Sequence, residues 1–227
     1  MRYTIHVNEV KEKEGGLRGF ATVVFDESFK ITNIAIFENG QTGKLFVSMP
    51  RFKAAEQTED GKTIYKDICN PVTKEFREEL YDNILGTYEK VTKQEPGVLV
   101  VDETEQGLPF SLSVSLFERE GSNVCALARI YLADCFVINN VSVFQGKEDV
   151  FVTMPSYKTN QKDENGKAVY QNVVFPVTKE FREKLFSEVI NSYKNEKSKA
   201  EEQKYLQTGV EKAVAEKAVA EKETPFR

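Results

Sequence analysis

Four basic side chains recur at a constant spacing in two parts of the chain, and a tyrosine recurs with them. The basic pairs are Lys53/Lys158, Lys62/Lys167, Lys74/Lys179 and Arg77/Arg182. The aromatic pair is Tyr65/Tyr170. Lysine and arginine neutralise the phosphates of a nucleic-acid backbone, and an exposed aromatic ring stacks on a base. The pattern therefore indicates a nucleic-acid surface. The alternative is that the lysines only solubilise the protein and the tyrosines belong to its core.

Other kinds of chemistry find little support in the sequence. His6 is the single histidine, so a zinc site lacks its ligands and a Ser-His-Asp triad has no supporting motif. The glycine-rich phosphate loops of nucleotide-binding proteins are absent, and the carboxylates are scattered. We therefore expect no catalytic residue, no metal site, no cofactor and no enzymatic activity.

The cysteines and the apolar segments bear on the compartment. Cys69, Cys125 and Cys135 are odd in number and form no C-x-x-C pair, so we expect reduced structural thiols, unbonded and buried. The N-terminus has no apolar signal-peptide core, and no apolar run approaches the ~20 residues that cross a bilayer. The sequence thus predicts a cytoplasmic protein without a membrane partner.

The recurring side chains belong to an internal duplication. The eight residues from Pro71 to Glu78 reappear letter for letter from Pro176 to Glu183. The offset of 105 residues holds without a gap from the Phe46/Phe151 pair to the Tyr88/Tyr193 pair. The chain is therefore two copies of one domain, each large enough to hold a hydrophobic core.

Charge separates these copies from the segments beside them. We place copy 1 at residues 1–93, an acidic linker at 94–107, copy 2 at 108–193 and a charged, Ala-rich tail at 194–227. Copy 1 carries 14 basic against 15 acidic residues and copy 2 carries 9 against 10, whereas the linker carries none against 4. Each copy is nearly neutral, so composition alone does not indicate a nucleic-acid partner.

The hydropathy pattern predicts the elements that position the basic residues. Four segments of copy 1 alternate or are rich in β-branched residues, and copy 2 repeats them, so each copy is expected to form a small antiparallel sheet. A long loop follows Pro50. Val72, Phe76, Leu80 and Ile84 are spaced by four, which predicts a helix with an apolar stripe. The fold class is therefore α+β, two sheets each with one C-terminal covering helix. The tail is expected to be helical or frayed.

Several motifs of both copies resemble the SpoVG (septation regulator) family. Copy 1 has Leu45-Phe46-Val47-Ser48-Met49-Pro50, then Tyr65-Lys66-Asp67-Ile68, then Asn70-Pro71-Val72, and then a helix with Arg77 near its start. Their order matches a family pattern of a strand ending in L-F-V-x-M-P, a basic loop and a C-terminal helix with an early arginine. The resemblance covers copy 1 from about Tyr3 to Tyr88 and copy 2 from about Phe110 to Tyr193.

The resemblance implies a dimeric, non-enzymatic protein that binds DNA or RNA and regulates gene expression linked to septation or sporulation. The duplicated chain would be a covalent pseudo-dimer in which the two repeats pack on each other. Carried over by position, the nucleic-acid contacts are Arg51, Lys53, Lys66, Lys74, Arg77, Lys158, Lys179, Arg182 and Lys184. Copy 2 departs from the family pattern at Gln171-Asn172-Val173, so its contacts are expected to matter less. The alternative is an interaction module with the same fold that binds no nucleic acid.

Overall fold

The chain folds into antiparallel sheets and two helices, which is the α+β class that the sequence predicts. The computed structural model describes residues 1–11, 14–102 and 107–222. Within those ranges, no helix is both long and apolar enough to cross a membrane.

The two copies have matching elements. Copy 1 contains β1 (Tyr3–Glu9), β2 (Leu17–Phe25), β3 (Phe29–Glu38), β4 (Leu45–Ser48), β5 (Arg51–Gln57), β6 (Thr63–Asp67), β7 (Cys69–Pro71) and α1 (Lys74–Thr92). The linker forms β8 (Val98–Val101). Copy 2 contains β9 (Phe110–Leu116), β10 (Val124–Leu132), β11 (Phe136–Gln145), β12 (Val150–Thr153), β13 (Ser156–Lys162), β14 (Ala168–Asn172), β15 (Val174–Pro176) and α2 (Lys179–Lys222). A short 3₁₀ turn, Glu14–Gly16, precedes β2.

Helix α1 packs as its sequence predicts, except that Val72 lies before the helix and is 44% exposed, so the prediction that it belongs to the apolar stripe is wrong. The Thr73 hydroxyl accepts a hydrogen bond from the backbone N–H of Phe76 at 3.3 Å, which caps the helix N-terminus. Phe76, Leu80, Ile84 and Tyr88 are all buried and form the stripe that faces the sheet. This packing leaves the side chains of the opposite face, including the basic residues of the first turn, in solvent.

The two copies exchange strands. β15 of copy 2 pairs with β3 of copy 1, with Val174 opposite Ile31. Reciprocally, β7 of copy 1 pairs with β11 of copy 2, with Cys69 opposite Ile138. Each main sheet is therefore completed by a three-residue strand of the other copy, in an arrangement with approximate two-fold symmetry.

The core is also continuous across the two copies. The fully buried ring of Phe136, in copy 2, lies 5.2 Å from Phe25 and 6.5 Å from Phe76 of copy 1. Its counterpart Phe29, in copy 1, lies 6.3 Å from Phe181 of copy 2. Because each aromatic cluster draws on both copies, neither copy has a separate core, and we expect the two to unfold together.

A β-hairpin replaces the expected long loop in each copy. β5 and β6 form arm 1, residues 51–67, and β13 and β14 form arm 2, residues 156–172. The two strands of each arm pair only with each other among the described residues. The prediction of a loop after Pro50 is thus wrong, because an antiparallel hairpin satisfies its backbone hydrogen-bonding groups.

The segments outside the copies also take regular structure. β8 pairs antiparallel with β1, so part of the acidic linker extends the sheet of copy 1. α2 does not end with copy 2 but continues through the tail as far as Lys222. Residues 103–106 of the linker and 223–227 of the tail lie outside the described residues.

The cysteines are unbonded, but only one is buried. Cys69 is fully buried, and this burial raises the pKa of its thiol. Cys125 and Cys135 are half-buried, so the prediction that all three are buried is wrong for these two. Each lies next to the first residue of a strand, Val124 of β10 or Phe136 of β11.

The thiols are therefore expected to react at different rates under native conditions. A thiol reagent such as dithionitrobenzoate should modify Cys125 readily. Cys135 should react more slowly, because burial raises the pKa of its thiol, and Cys69 should react only as the protein unfolds. Counting released thiolate with time in buffer and in urea measures this. Equal rates for all three cysteines in buffer would contradict the burial of Cys69.

Candidate nucleic-acid interface

Arm 1 has one face turned to the core and one turned to solvent. Phe52 packs against the core and the neighbouring Ala54 is buried. Because successive side chains of a strand alternate in direction, Arg51 and Lys53 point the other way. Lys53 lies directly opposite Tyr65 on the adjacent strand, and 59% of Tyr65 is exposed. The outer face of the arm thus presents a cation beside an exposed aromatic ring.

Arm 2 reproduces this pair at the equivalent positions. Lys158 lies opposite Tyr170, and 64% of Tyr170 is exposed. The interpretation of Tyr65 and Tyr170 as core residues is therefore wrong. Neither Lys53 nor Lys158 forms a salt bridge with a described residue.

The remaining charges of arm 1 largely neutralise one another. Lys66 donates a hydrogen bond to the Glu56 carboxylate at 2.7 Å, and Arg51 donates to the hydroxyl oxygen of Ser48 at 2.9 Å. The arm holds four basic and four acidic residues. The arm is therefore neutral overall, and at its base Arg51 lies opposite Asp67.

Arm 2 carries less compensating acid. It holds three lysines and two acidic residues. The carboxylate of Asp163 accepts hydrogen bonds from the backbone N–H groups of Asn165 and Lys167, at 2.9 and 2.7 Å, and so closes the turn of the hairpin. Lys162 and Lys167, outside the set predicted from the family pattern, therefore add to the positive charge of this arm.

The basic residues at the start of each helix are exposed, and each also contacts a neighbouring group of the protein. Lys74 lies 3.7 Å from Glu78, and Lys179 lies 3.7 Å from Glu183, in one-turn ion pairs. Exposed pairs of this type contribute little stability. The guanidinium of Arg77 donates to the Pro71 carbonyl oxygen at 3.3 Å. It therefore ties the helix to β7, although it remains exposed.

In copy 1, Tyr81 follows Arg77 by one helical turn, at the position that Phe186 occupies in copy 2. Burial raises the pKa of the Tyr81 hydroxyl above its usual value. The nearby Arg77 lowers that pKa, and the carboxylate of Asp67 raises it. The pKa of Tyr81 therefore responds to one charge of α1 and one charge of arm 1.

In copy 2, a cleft of about 290 Å³ occupies the equivalent place. Ser156 and Asn172, from the base of arm 2, line it together with Arg182 and Phe186 of α2. Arg182 donates to the Pro176 carbonyl oxygen at 3.5 Å, as Arg77 does in copy 1. Arginine, aromatic ring and amide groups together can hold an anionic, planar group such as a nucleotide.

Lys184 is not part of this cleft. Its ammonium lies 5.6 Å from the centre of the Phe110 ring, where it makes a cation–π contact. It lines a separate groove beside β9. The structure therefore does not bring Lys184 together with the arm and helix-start residues predicted with it.

A second repeated aromatic feature was missed by the sequence reasoning. Phe37 and Phe46 stack at 5.7 Å across neighbouring strands, and Phe144 and Phe151 do so at 5.7 Å in copy 2. About half of Phe46 and about half of Phe151 is exposed. The sequence does contain a signal, because Phe46 and Phe151 belong to the repeated strand before Met-Pro, but a phenylalanine in a strand is usually a core residue.

Among the described residues, no group of His, Cys, Asp or Glu side chains is arranged to hold a metal ion.

Comparison with known proteins confirms that the chain holds two copies of one domain. A family model described as SpoVG matches residues 1–90 and again residues 110–195. A protein of Clostridium kluyveri named "Putative septation protein SpoVG" is 39% identical over 82 residues, 36% of this chain and 77% of the relative. Proteins of the same name from Treponema denticola and Macrococcus caseolyticus are 38% identical over 73 residues and 29% identical over 92 residues. These alignments cover 32% and 40% of this chain, and 72% and 73% of the relatives. Each aligned length is close to that of one copy.

Proposed function

The chain belongs to the SpoVG family and carries its domain twice, and we propose that it is a nucleic-acid-binding regulator that acts as a covalent pseudo-dimer. It acts by binding and not by catalysis, on DNA or RNA in the cytoplasm. Because its relatives are named septation proteins, we place this regulation in septation or a sporulation-linked process. Two observations support the pseudo-dimer. The relatives align with one domain only, and the two domains of this chain pair with each other.

The observation that carries this proposal is the exposed lysine–tyrosine pair on the outer face of each arm. Lys53 with Tyr65, and Lys158 with Tyr170, place a cation directly across from an exposed ring. A single strand of nucleic acid offers the matching groups, a phosphate beside each base. Core packing does not explain the tyrosines, since more than half of each is exposed.

The strand exchange gives the two arms a fixed relation. Arm 1 leads into β7, which pairs with β11, and the Asn139 amide of copy 2 donates to the Asp67 carbonyl oxygen at 3.2 Å. The base of arm 1 is thus anchored on copy 2. Two binding arms fixed on one body raise the effective concentration of the second contact once the first has formed.

The proposal is tested by fluorescence anisotropy with mixed-sequence single-stranded DNA, RNA and duplex DNA. We expect binding at low salt, with log K falling by roughly 0.7 to 0.9 per unit of log salt for each phosphate neutralised. A comparison of the three probes decides between DNA and RNA. If the protein binds none of them at low salt, the nucleic-acid function is wrong.

Replacing Lys74 and Arg77 together by Ala should lower both the affinity and the salt slope, by roughly 0.7 to 0.9 in slope per lost contact. Stability should fall by only about 1 kcal/mol, because the Lys74 pair is exposed and Arg77 gives up one hydrogen bond. The equivalent change of Lys179 and Arg182 measures the contribution of copy 2 to binding. Weaker binding with an unchanged salt slope would show that neither residue contacts phosphate.

The competing function is protein interaction without nucleic acid. The balanced charge of arm 1 and the pairing of Lys66 with Glu56 favour it, since they reduce the attraction for a polyanion. The same anisotropy titration distinguishes the two functions. A nucleic-acid-binding protein binds the probes at low salt and loses affinity as salt rises, whereas an interaction module binds none of the probes.

A further inference from the structure

The sheet of copy 2 ends in an open edge. Strand β9 pairs with β10 over its whole length, from Phe110 opposite Leu132 to Leu116 opposite Ala126. Its other edge pairs with no strand in the described part of the chain. A groove of about 510 Å³ runs between this edge and α2, lined by Phe110, Leu112, Lys184, Glu188 and Ser192 among others.

The equivalent edge of copy 1 is closed. There, β8 pairs antiparallel with β1, and Leu99 lies opposite Ile5. The inward side chains Tyr3, Ile5 and Val7 are 0 to 4% exposed. Their counterparts in β9 are only half-buried. By comparison with copy 1, the β9 edge and its groove can accept one further antiparallel strand with apolar side chains.

Local sequence explains why one edge is closed and the other is open. After α1 the chain turns back at Gln94-Glu95-Pro96-Gly97, where Gln94 has a left-handed φ of 63°. Gly97 then passes so close to β1 that a Cβ would lie 2.4 Å from the Val7 carbonyl oxygen. The corresponding residues of copy 2 are Lys199-Ala200-Glu201-Glu202, which contain no helix breaker. α2 therefore continues, and no strand returns to β9.

The β9 edge also lacks the usual protection against pairing. Natural edge strands are blunted by charge, proline or a bulge. From Phe110 to Leu116 the sequence is Phe-Ser-Leu-Ser-Val-Ser-Leu, with no charged residue and no proline. Its pairing with β10 shows no bulge. The edge is thus seven residues long, regular and uncharged.

We propose that β9 pairs with the β9 strand of a second copy of this chain, antiparallel and centred on Ser113. That register places Phe110 opposite Leu116 and Leu112 opposite Val114, so apolar side chains meet on the helix side, and serines meet on the other side. No like charges face each other in the paired strands. The contact is isologous, the closed two-fold type most common in oligomers, and it joins two sheets into one.

Sedimentation equilibrium of the full chain in reducing buffer tests this. We expect the mass to rise with concentration from 25.8 kDa towards twice that value. Ser113→Lys should shift the equilibrium towards monomer by roughly tenfold or more, because two cations would face each other at the dyad. Ser113→Glu by itself should also shift the equilibrium towards monomer. An equimolar mixture of the two variants should dimerise again, because a cation then faces an anion at the dyad.

A matched control comes from the other copy. His6 occupies in β1 the place of Ser113 in β9, is also exposed, and lies on a strand that pairs with β8. His6→Lys should therefore leave the dimerisation constant unchanged. A wild-type chain that stays monomeric, a dimer insensitive to Ser113→Lys, or no rescue in the mixture would each overturn the proposal. Nucleic-acid binding is a separate measurement, since Ser113 lies on neither arm.

Discussion

Phe136→Ala is expected to lower the free energy of unfolding by about 3–5 kcal/mol, the range for deleting a fully buried phenylalanine. The ring is fully buried and lies within 7 Å of Phe25 and Phe76, so its removal leaves a cavity between the copies. Urea unfolding followed by circular dichroism measures the loss. Because the cavity lies where both copies meet, the whole protein should still unfold in one transition, shifted to lower urea.

The control for this change is Phe151→Ala. Phe151 is also a strand phenylalanine in contact with another ring, Phe144, but it is 49% exposed, so its loss should cost much less than that of Phe136. If Phe136→Ala instead produced two separate transitions, with one copy unaffected, the shared core would be the wrong description. A loss below about 1 kcal/mol would likewise contradict the burial of this ring.

Local patterns in the sequence predict the helices and the main strands well. The spacing of Phe76, Leu80 and Ile84 identifies the buried stripe of α1, and Thr73 marks its N-cap, because both signals lie within a few turns of one element. The alternation of Tyr3, Ile5 and Val7 likewise gives the buried face of β1.

The exchanged strands could not be predicted in the same way. β7 and β15 are three residues long and end in proline, so they carry no periodicity. Their partners, β11 and β3, lie in the other copy and become neighbours only in the folded chain. The arms were missed for a related reason: Ala54 and Ala55 break the apolar alternation of β5, and only the turn at Asp60-Gly61 marked a hairpin.

The candidate site divides along the same line. The duplication identifies Lys53, Tyr65 and Arg77 as repeated residue types, but not what each side chain contacts. The partner of Arg77 is a backbone carbonyl, which no pattern of side chains reveals. Lys184 was grouped with the nucleic-acid contacts by position in the helix, whereas the structure shows it over Phe110, at the mouth of the groove beside β9.

Removing both arm pairs should have the largest effect on binding. We expect Lys53→Ala with Tyr65→Ala to weaken nucleic-acid binding by about tenfold to a hundredfold, since each stacked base contributes about 1–3 kcal/mol and each lysine adds a phosphate contact. The same change at Lys158 and Tyr170 should have a comparable effect. This differs from the smaller role that the sequence of copy 2 predicts, because arm 2 presents the same pair with less acid nearby. The four changes together should abolish binding at moderate salt.

The stability of these variants should hardly change, because the four side chains are exposed on arms whose strands stay paired. Anisotropy titrations at several salt concentrations, with urea unfolding in parallel, separate the two effects. The matched control is Lys204→Ala with Tyr205→Ala, which removes the same two residue types from the exposed surface of α2 beyond copy 2. If this control weakens binding as much as an arm variant, the contacts are diffuse. The arms would then not be the binding surface. If they are, removing an arm pair must weaken binding more than removing the same residue types elsewhere, because the lysine and the ring lie directly across from each other only on the arms.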